Sequence, residues 1–180
     1  MKVACCESNA YADPKGEPRL GGTCLNVGCI PSKALLHTSH LFEETTTHFA
    51  AQGIEVGAPK INVPKMIARK ASVVTQLTGG IAGLFKKNKV TFLKGHGSFA
   101  ARLSTGWQVT VGEVLVEAKQ VIIATGSKAR HLPGVAVDNQ TICDNEGALE
   151  MQSVPKKLVI IGAGVIGLEM GSVWRRLGAE

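Results

Sequence analysis

Two cysteines are the residues of this sequence best suited to do chemistry. Cys24 and Cys29 lie five positions apart, and Pro31 is well placed for the first turn of a helix that follows them. Gly28 permits the distorted turn that two thiols at this spacing need in order to meet. A helix N-terminus and the nearby Lys33 would both lower a thiol pKa and favour the nucleophilic thiolate. The pair is therefore a candidate redox centre.

Two other interpretations of these thiols stay open at this point. They can be buried structural cysteines, or they can supply half of a zinc site. A structural zinc site needs four ligands, and the sequence has no second Cys/His pair at ligand spacing. We therefore predict no metal site.

A glycine motif near the end of the sequence predicts a dinucleotide site. An apolar run at residues 158–161 predicts a strand, and a helical pattern follows the motif. In G-x-G-x-x-G the first glycine allows a tight turn, the second lets the backbone approach a pyrophosphate, and the third lets helix and strand pack closely. The alternative is a glycine-rich structural turn. The motif residues that we expect to contact the coenzyme are Gly162, Gly164, Val165, Ile166 and Gly167. The residue that distinguishes NAD from NADP would lie beyond Glu180.

Glu7 is a weaker candidate for a cofactor contact. It follows a predicted strand at residues 3–6, where a dinucleotide fold places a carboxylate that binds a ribose hydroxyl. A solvated strand end explains it equally well. The other cysteines are interpreted as small apolar side chains: Cys5, Cys6 and Cys143. The histidines form no cluster with the thiols in the sequence: His37, His40, His48, His96 and His131.

The surrounding sequence predicts two helices and several strands. A polar loop at residues 8–19 precedes the cysteine segment, and a helix is predicted over residues 32–44. Apolar residues recurring every three or four positions predict a second helix over residues 64–88. Short strands at residues 90–93, 107–111 and 114–117 predict an antiparallel meander. The continuous apolar run at residues 121–124 predicts a strand buried on both faces. Residues 132–155 show little regular pattern and are predicted to form an irregular connection.

The composition excludes several classes of protein. With 180 residues, 44% hydrophobic and 19% charged, the chain is typical of a globular protein. Five cysteines are too few for a disulfide-stapled secreted scaffold, and no apolar run reaches the roughly 20 residues of a membrane span. The basic residues behind the net charge of +6 are scattered. We therefore predict neither a nucleic-acid partner nor a membrane partner, and a cytoplasmic location.

Three segments, in this order, resemble the pyridine nucleotide-disulfide oxidoreductase family. The redox-disulfide segment of the family resembles residues 21–36, GGTCLNVGCIPSKALL. Its second FAD motif resembles residues 122–127, IIATGS, and its NAD motif resembles residues 160–173, IIGAGVIGLEMGSV. The resemblance covers essentially the whole sequence. Glutathione and mercuric reductases share the paired cysteines, but Leu25 and residues 32–36 are more similar to the members that oxidise dihydrolipoamide. The resemblance implies that Cys24 and Cys29 are a redox pair.

The activity that the resemblance implies is an FAD-dependent dithiol-disulfide oxidoreductase. Such an enzyme oxidises protein-bound dihydrolipoamide to lipoamide with NAD+ as the acceptor. The implied cofactors are FAD and NAD, and the implied partners are a second subunit in a homodimer and the lipoyl domain of a 2-oxo acid dehydrogenase complex. The alternatives are a related flavin disulfide reductase of the mercuric or glutathione type, and a noncatalytic remnant module.

The resemblance also implies roles for individual residues. Cys29 would face the flavin as the charge-transfer thiolate, and Cys24 would be the outer thiol that exchanges with dihydrolipoamide. Lys33 would lie near the flavin ring and pair with Glu169, linking the two cofactor domains. The implied FAD contacts are Glu7 at the adenosine ribose, Gly97 at the adenine, and Gly22, Thr23, Cys24, Lys33, Thr125, Gly126 and Ser127 along the cofactor.

The fold that the resemblance implies is α/β. A partial FAD-binding Rossmann-like domain with an antiparallel meander would occupy residues 1–150, and the start of an NAD-binding Rossmann domain residues 151–180. The family's first G-x-G-x-x-G unit would precede Met1, and its C-terminal interface domain, with a His-Glu acid–base pair, would follow Glu180. We therefore expect the sequence to be cut at both ends and the chain by itself to be inactive.

Overall fold

The computed structural model describes residues 2–9, 11, 16 and 19–180, and its fold is α/β. The predicted loop at residues 8–19 lies in part outside the described residues. The helices are α1 (Gly22–Val27), α2 (Cys29–Thr47), α3 (Val63–Lys87), α4 (Asn145–Ala148) and α5 (Val165–Arg176), with a 3₁₀ turn at Ala50–Gln52. The strands are β1 (Val3–Glu7), β2 (Val90–Lys94), β3 (Gly97–Leu103), β4 (Gly106–Val111) and β5 (Val114–Ala118). Both predicted long helices are confirmed as α2 and α3. The predicted bounds differ from the observed ones by at most three residues at either end.

The chain divides into two compact units, which are described separately. The first comprises the described part of residues 1–22 together with residues 75–127, and the second comprises residues 23–74 and 128–180. None of the described helices is long and apolar enough to cross a membrane.

The first unit contains all five strands of the described residues. β1 and β2 pair in parallel, with Val3 opposite Val90 and Glu7 opposite Lys94. β3, β4 and β5 form an antiparallel sheet in sequence order, which confirms the predicted meander. An edge-to-face contact between Phe99 and Trp107, with ring centroids 5.1 Å apart, joins β3 to β4.

The strands that form the antiparallel meander differ in part from those predicted. Residues 90–93 were expected to be its first strand, but they belong to β2 and pair in parallel with β1. β3 takes their place in the meander, and the sequence did not predict it. Its sequence, GSFAARL, has few of the β-branched and aromatic residues that mark strands, and a register shift between Phe99 and Ala101 interrupts its alternation.

Two predicted strands are not formed. Neither residues 121–124 nor residues 158–161 belong to a strand, and their side chains are largely exposed, with Ile122 at 91% and Ile161 at 79%. The prediction of a strand buried on both faces at 121–124 is therefore wrong. A strand needs a neighbouring strand to satisfy its backbone hydrogen bonds, and in the described part of the chain neither run lies in either of the two sheets.

The second apolar run does begin a ladder. The Leu158 amide donates to the Glu180 carbonyl at 2.8 Å, and the Glu180 amide donates to the Lys156 carbonyl at 3.1 Å. These alternating bonds have the pattern of a parallel pair.

The second unit is organised around a helical core. α2, the first half of α3, the end of α4 and α5 contribute the buried side chains. These are Leu35, Val63, Met66, Ile67, Leu149, Met170, Val173, Trp174, Leu177 and Ala179. Leu35, Val173 and Trp174 have no exposed surface. Residues 132–155 are mostly irregular, as predicted, apart from the short helix α4, which Asp144 caps by accepting a hydrogen bond from the Glu146 amide.

Truncating the core residue of α2 tests this packing. We expect Leu35→Ala to lower the free energy of unfolding by about 3 kcal/mol, because it removes a fully buried side chain and leaves a cavity. The matched control is Leu84→Ala, at a position that is 53% exposed, and its cost should stay below about 0.5 kcal/mol. Urea unfolding followed by helical circular dichroism measures both. Equal losses would contradict the described core.

Candidate functional site

The two thiols lie on either side of a sharp break between helices. Cys24 belongs to α1, and Cys29 is the first residue of α2. Both thiols are free and both residues are exposed. A Cβ atom at Gly28 would lie 3.0 Å from the Thr23 carbonyl oxygen and 3.2 Å from Cys24 Cα, so the absence of a side chain lets the backbone approach α1 this closely. This is the distorted turn that the spacing predicted.

The thiols meet through a hydrogen bond, which raises the pKa of Cys24. The side chain of Cys29 is the largest cause, because ionising Cys24 would disrupt the bond; partial burial and the Coulomb effect of Cys29 add to it. The backbone amide of Cys29 and the charge of Lys33 act in the opposite direction and are outweighed. The sequence-based expectation of a lowered thiol pKa is therefore wrong for Cys24. In the reduced pair, Cys24 is held in its protonated form.

Two carbonyls between the thiols have defined partners. The Gly28 oxygen accepts from the Ser32 amide at 3.1 Å and from Ser32 Oγ at 2.8 Å. The Val27 oxygen accepts from Asn145 Nδ2 at 2.9 Å. Sequence reasoning missed Asn145, which is 118 positions away from Val27, and no local pattern could have identified it.

Helices α2 and α5 pack together and run in the same direction. Lys33, near the start of α2, forms an ion pair with Glu169, near the start of α5. Towards their ends, Arg176 Nε lies 2.8 Å from the Glu43 carboxylate. The structure thus brings together Lys33 and Glu169, the two residues that the resemblance paired. Because the helices are parallel, the two thiols at the start of α2 and just before it, and the glycine motif at the start of α5, lie at the same end of the helix pair.

The glycine motif has the backbone geometry that a dinucleotide requires. Gly162 has a φ of +105°, and Gly164 is the N-cap of α5. A Cβ at either glycine would meet nothing within 4 Å, so a phosphate has room to approach the backbone. A Cβ at Gly167 would lie 3.0 Å from both the Gly162 oxygen and Ile160 Cγ2, which is the close packing expected of the third glycine. These observations fit a bound pyrophosphate.

The exposed start of α5 supports the same fit. Val165 and Ile166 occupy its first turn with side chains that are 69% and 57% exposed. The first amides of a helix have no partner within the helix, and they carry partial positive charge. The twelve-residue helix α5 therefore presents donors to an anion at the glycine motif.

The candidate FAD residues of the first unit lie at the ends of its strands. Glu7 ends β1, and its Oε1 accepts from the Ser8 and Asn9 amides, each at 2.9 Å. Gly97 begins β3, and a Cβ there would lie 2.9 Å from Cys6 Sγ, so its backbone packs against the neighbour of Glu7. This places Glu7 and Gly97 close together. Their arrangement, a carboxylate beside bare backbone, fits the adenosine end of a dinucleotide.

The remaining candidates occupy irregular or short segments. Thr125, Gly126 and Ser127 lie in an exposed stretch, where Gly126 has a φ of +74°. Gly22, with a φ of +60°, and Thr23 form the start of α1 in front of Cys24. The described residues contain no group of three or more His, Cys, Asp or Glu side chains that could hold a metal ion.

Comparison with known proteins assigns the chain to a family. The family model of the pyridine nucleotide-disulphide oxidoreductases matches residues 1–180. The chain belongs to this family. The sequence resemblance based on the thiol segment and the two nucleotide motifs is thereby confirmed.

Individual relatives agree with this assignment. The chain is 63% identical over 180 residues to a dihydrolipoyl dehydrogenase of Cupriavidus necator, with all of this chain and 38% of the relative covered. It is 53% identical over 181 residues to the mitochondrial dihydrolipoyl dehydrogenase 1 of Arabidopsis thaliana, of which it covers 34%. The chain thus spans just over a third of the length of these relatives.

A solved structure supports the fold. The crystal structure of LpdA from Mycobacterium tuberculosis superposes with a TM-score of 0.83 at 22% identity. The match covers 99% of this chain and 37% of that protein. The α/β arrangement described above is therefore that of the corresponding part of LpdA.

The contact between the thiols makes a prediction about reactivity. In the reduced chain, Cys29→Ala should lower the pKa of Cys24, because the leading cause of its elevation disappears while Lys33 remains. At pH 7 the thiolate fraction of Cys24 then rises, and iodoacetamide should alkylate it faster than in the unmodified chain. The control Cys143→Ala should leave the rate unchanged. An equal or slower rate in Cys29→Ala would show that Cys29 does not hold the proton on Cys24.

Proposed function

We propose that this chain carries the redox thiols and nucleotide-binding segments of an FAD-dependent dihydrolipoyl dehydrogenase. The proposed reaction oxidises protein-bound dihydrolipoamide to lipoamide with NAD+ as the acceptor. The observation that carries the proposal is the close approach of the Gly28 backbone to Cys24, which sets Cys24 and Cys29 beside each other near Lys33 and its partner Glu169. The names of the two relatives, at 63% and 53% identity, support the choice of substrate.

Thiol–disulfide exchange at the pair conserves bonds and electrons. A thiolate of dihydrolipoamide attacks Sγ of Cys24 in the oxidised pair, which forms a mixed disulfide and releases Cys29 as a thiolate. The second substrate sulfur then displaces Cys24 and closes lipoamide. One S–S bond is broken and one is formed, and two electrons remain on the pair.

The exchange must also account for the two protons of the dihydrolipoamide thiols. The raised pKa of Cys24 favours keeping one substrate proton on that thiol. The other substrate proton leaves when the attacking thiolate forms. Cys29 departs as the leaving group, with Lys33 four positions further along the same helix. The Glu169 carboxylate orients the Lys33 ammonium through their ion pair.

The residues proposed to hold the cofactors are those that the family resemblance implies, and the geometry of Glu7, Gly97 and the glycine motif supports them. Glu7 and Gly97 would hold the adenosine of FAD, and the other proposed contacts are Gly22, Thr23, Cys24, Lys33, Thr125, Gly126, Ser127 and Glu169. Gly162, Gly164 and Gly167, with the amides of Val165 and Ile166, would bind the pyrophosphate of NAD. When bound, FAD would accept the two electrons of the dithiol and pass them to NAD+ as a hydride.

The proposal extends to partners, location and domains. We propose that the active protein is a cytoplasmic homodimer that serves the lipoyl domain of a 2-oxo acid dehydrogenase complex. The boundary between an FAD-binding domain at residues 1–150 and an NAD-binding domain at residues 151–180 stays a prediction.

A chimera tests the function within a complete enzyme. In it, this chain replaces the matching stretch of the Cupriavidus necator relative, to which it is 63% identical. We expect the chimera to form NADH from dihydrolipoamide and NAD+, followed at 340 nm. Cys29→Ser in the chimera should reduce turnover at least about 10³-fold, because the exchange loses its second sulfur.

Two comparisons make this experiment decisive. Cys143→Ser, which changes a cysteine outside the candidate site, should retain the turnover of the unmodified chimera. Retained turnover in Cys29→Ser would refute the role of the pair. A folded chimera that reduces glutathione disulfide or Hg²⁺ but does not oxidise dihydrolipoamide would replace the proposed substrate with that of a related reductase.

A further inference from the structure

The short helix α4 touches the segment between the two thiols. Asn145, its first residue, donates from Nδ2 to the Val27 carbonyl oxygen at 2.9 Å, and the contact is partly buried. Val27 lies between Cys24 and Cys29 in the sequence. None of the roles proposed above for the thiols, the lysine or the glycine motif uses this hydrogen bond.

The Val27 carbonyl is a group that needs an external donor. Val27 is the last residue of α1, and the last carbonyls of a helix have no partner within that helix. The next carbonyl, that of Gly28, is bound by Ser32 from within α2. Two consecutive peptide groups between the thiols are therefore fixed, one from α2 and one from α4.

α4 provides a firm support for Asn145. The Ala148 carbonyl accepts from Trp174 Nε1 at 3.2 Å, and the Leu149 carbonyl accepts from Lys70 Nζ at 3.1 Å. Trp174 is fully buried in α5, and Lys70, on α3, is 3% exposed. Both ties lie within the helical core, so they hold the end of α4 in a single position relative to α3 and α5.

We infer that Asn145 is a positioning residue for the Cys24–Cys29 pair. Its amide holds the turn between α1 and α2 in the conformation in which the two sulfur atoms meet. Disulfides tolerate only a narrow range of Cα separations, so fixing the turn raises the effective concentration of one thiol at the other. The inference rests on the proposed function of the pair as a redox disulfide.

This role predicts a change in the stability of the disulfide. Reduction by dithiothreitol breaks the Cys24–Cys29 bond, forms the cyclic disulfide of dithiothreitol and moves two protons to the protein thiols. Without the hydrogen bond, the dithiol gains conformations in which the sulfurs are apart, and the disulfide becomes easier to reduce. We expect Asn145→Asp and Asn145→Ala to shift the equilibrium about tenfold, which corresponds to a reduction potential about 30 mV higher.

The experiment uses the full 180-residue chain in buffers of reduced and oxidised dithiothreitol. After acid quenching and alkylation, trypsin releases the peptide of residues 20–33, which contains both thiols and no other cysteine. Its mass gives the oxidised fraction directly. The readout needs neither flavin nor substrate, so a failure of the proposed function in the chimera and a failure of this inference are distinguishable.

Asn145→Asp is the deciding variant. It keeps the size of the side chain and places a negative charge in the first turn of α4, which favours the helix, but it removes the donor. Circular dichroism establishes that it is folded. Asn145→Ala is a second variant, and its disulfide equilibrium is compared only if circular dichroism shows that it is folded.

The matched control is Asn88→Ala. Asn88 also donates from Nδ2 to a backbone carbonyl, that of Leu84, at the same distance of 2.9 Å, but it belongs to the other unit. Its potential should equal that of the unmodified chain. The inference is overturned if the disulfide equilibrium constant of folded Asn145→Asp stays within twofold of that of the unmodified chain. It is also overturned if Asn88→Ala changes this constant as much as Asn145→Asp does.

Discussion

The parallel packing of α2 on α5 is the interaction on which the candidate site depends. α2 begins at Cys29, and α5 begins directly after the turn formed by Gly162 and Gly164. Parallel helices bring their N-termini to the same end, so the two thiols and the glycine turn lie at one end of the helix pair although about 130 residues separate them in sequence. Antiparallel packing of the same two helices would place them at opposite ends, roughly the length of a helix apart.

Buried apolar side chains, rather than charges, supply most of the energy of this packing. Lys33 is 60% exposed and Glu169 is 23% exposed, and ion pairs of this kind contribute about 0–1 kcal/mol. Leu35 on α2 and Val173 and Trp174 on α5 are completely buried, and each such side chain contributes more than an exposed ion pair. The two ion pairs between the helices act instead on direction and register, because only a parallel arrangement satisfies both.

The sequence predicted the parts of the structure that depend on local pattern. The helix containing Met66 follows from apolar periodicity, and the helix containing Leu35 was predicted with Pro31 at its first turn. The turn at Gly162 follows from its glycines. Pairing between distant segments was not predictable in this way. The runs around Ile122 and Ile161 have strand-forming residues, but a strand also needs a partner. The contact between Asn145 and Val27 has no local signature at all, and the Lys33–Glu169 pair was expected only through resemblance to a family.

The parallel alignment of α2 and α5 can be measured by zero-length cross-linking. A carbodiimide joins a lysine to a carboxylate only when the two groups are in contact, so treatment of the chain should link Lys33 to Glu169, detected by mass spectrometry of the tryptic peptides. The ion pair between Lys70 and Glu150 in the same unit is the internal standard for reaction. The account predicts both cross-links. Formation of the Lys70–Glu150 link without the Lys33–Glu169 link would contradict it. A link from Lys33 to Glu180, which follows the far end of α5, would contradict it as well.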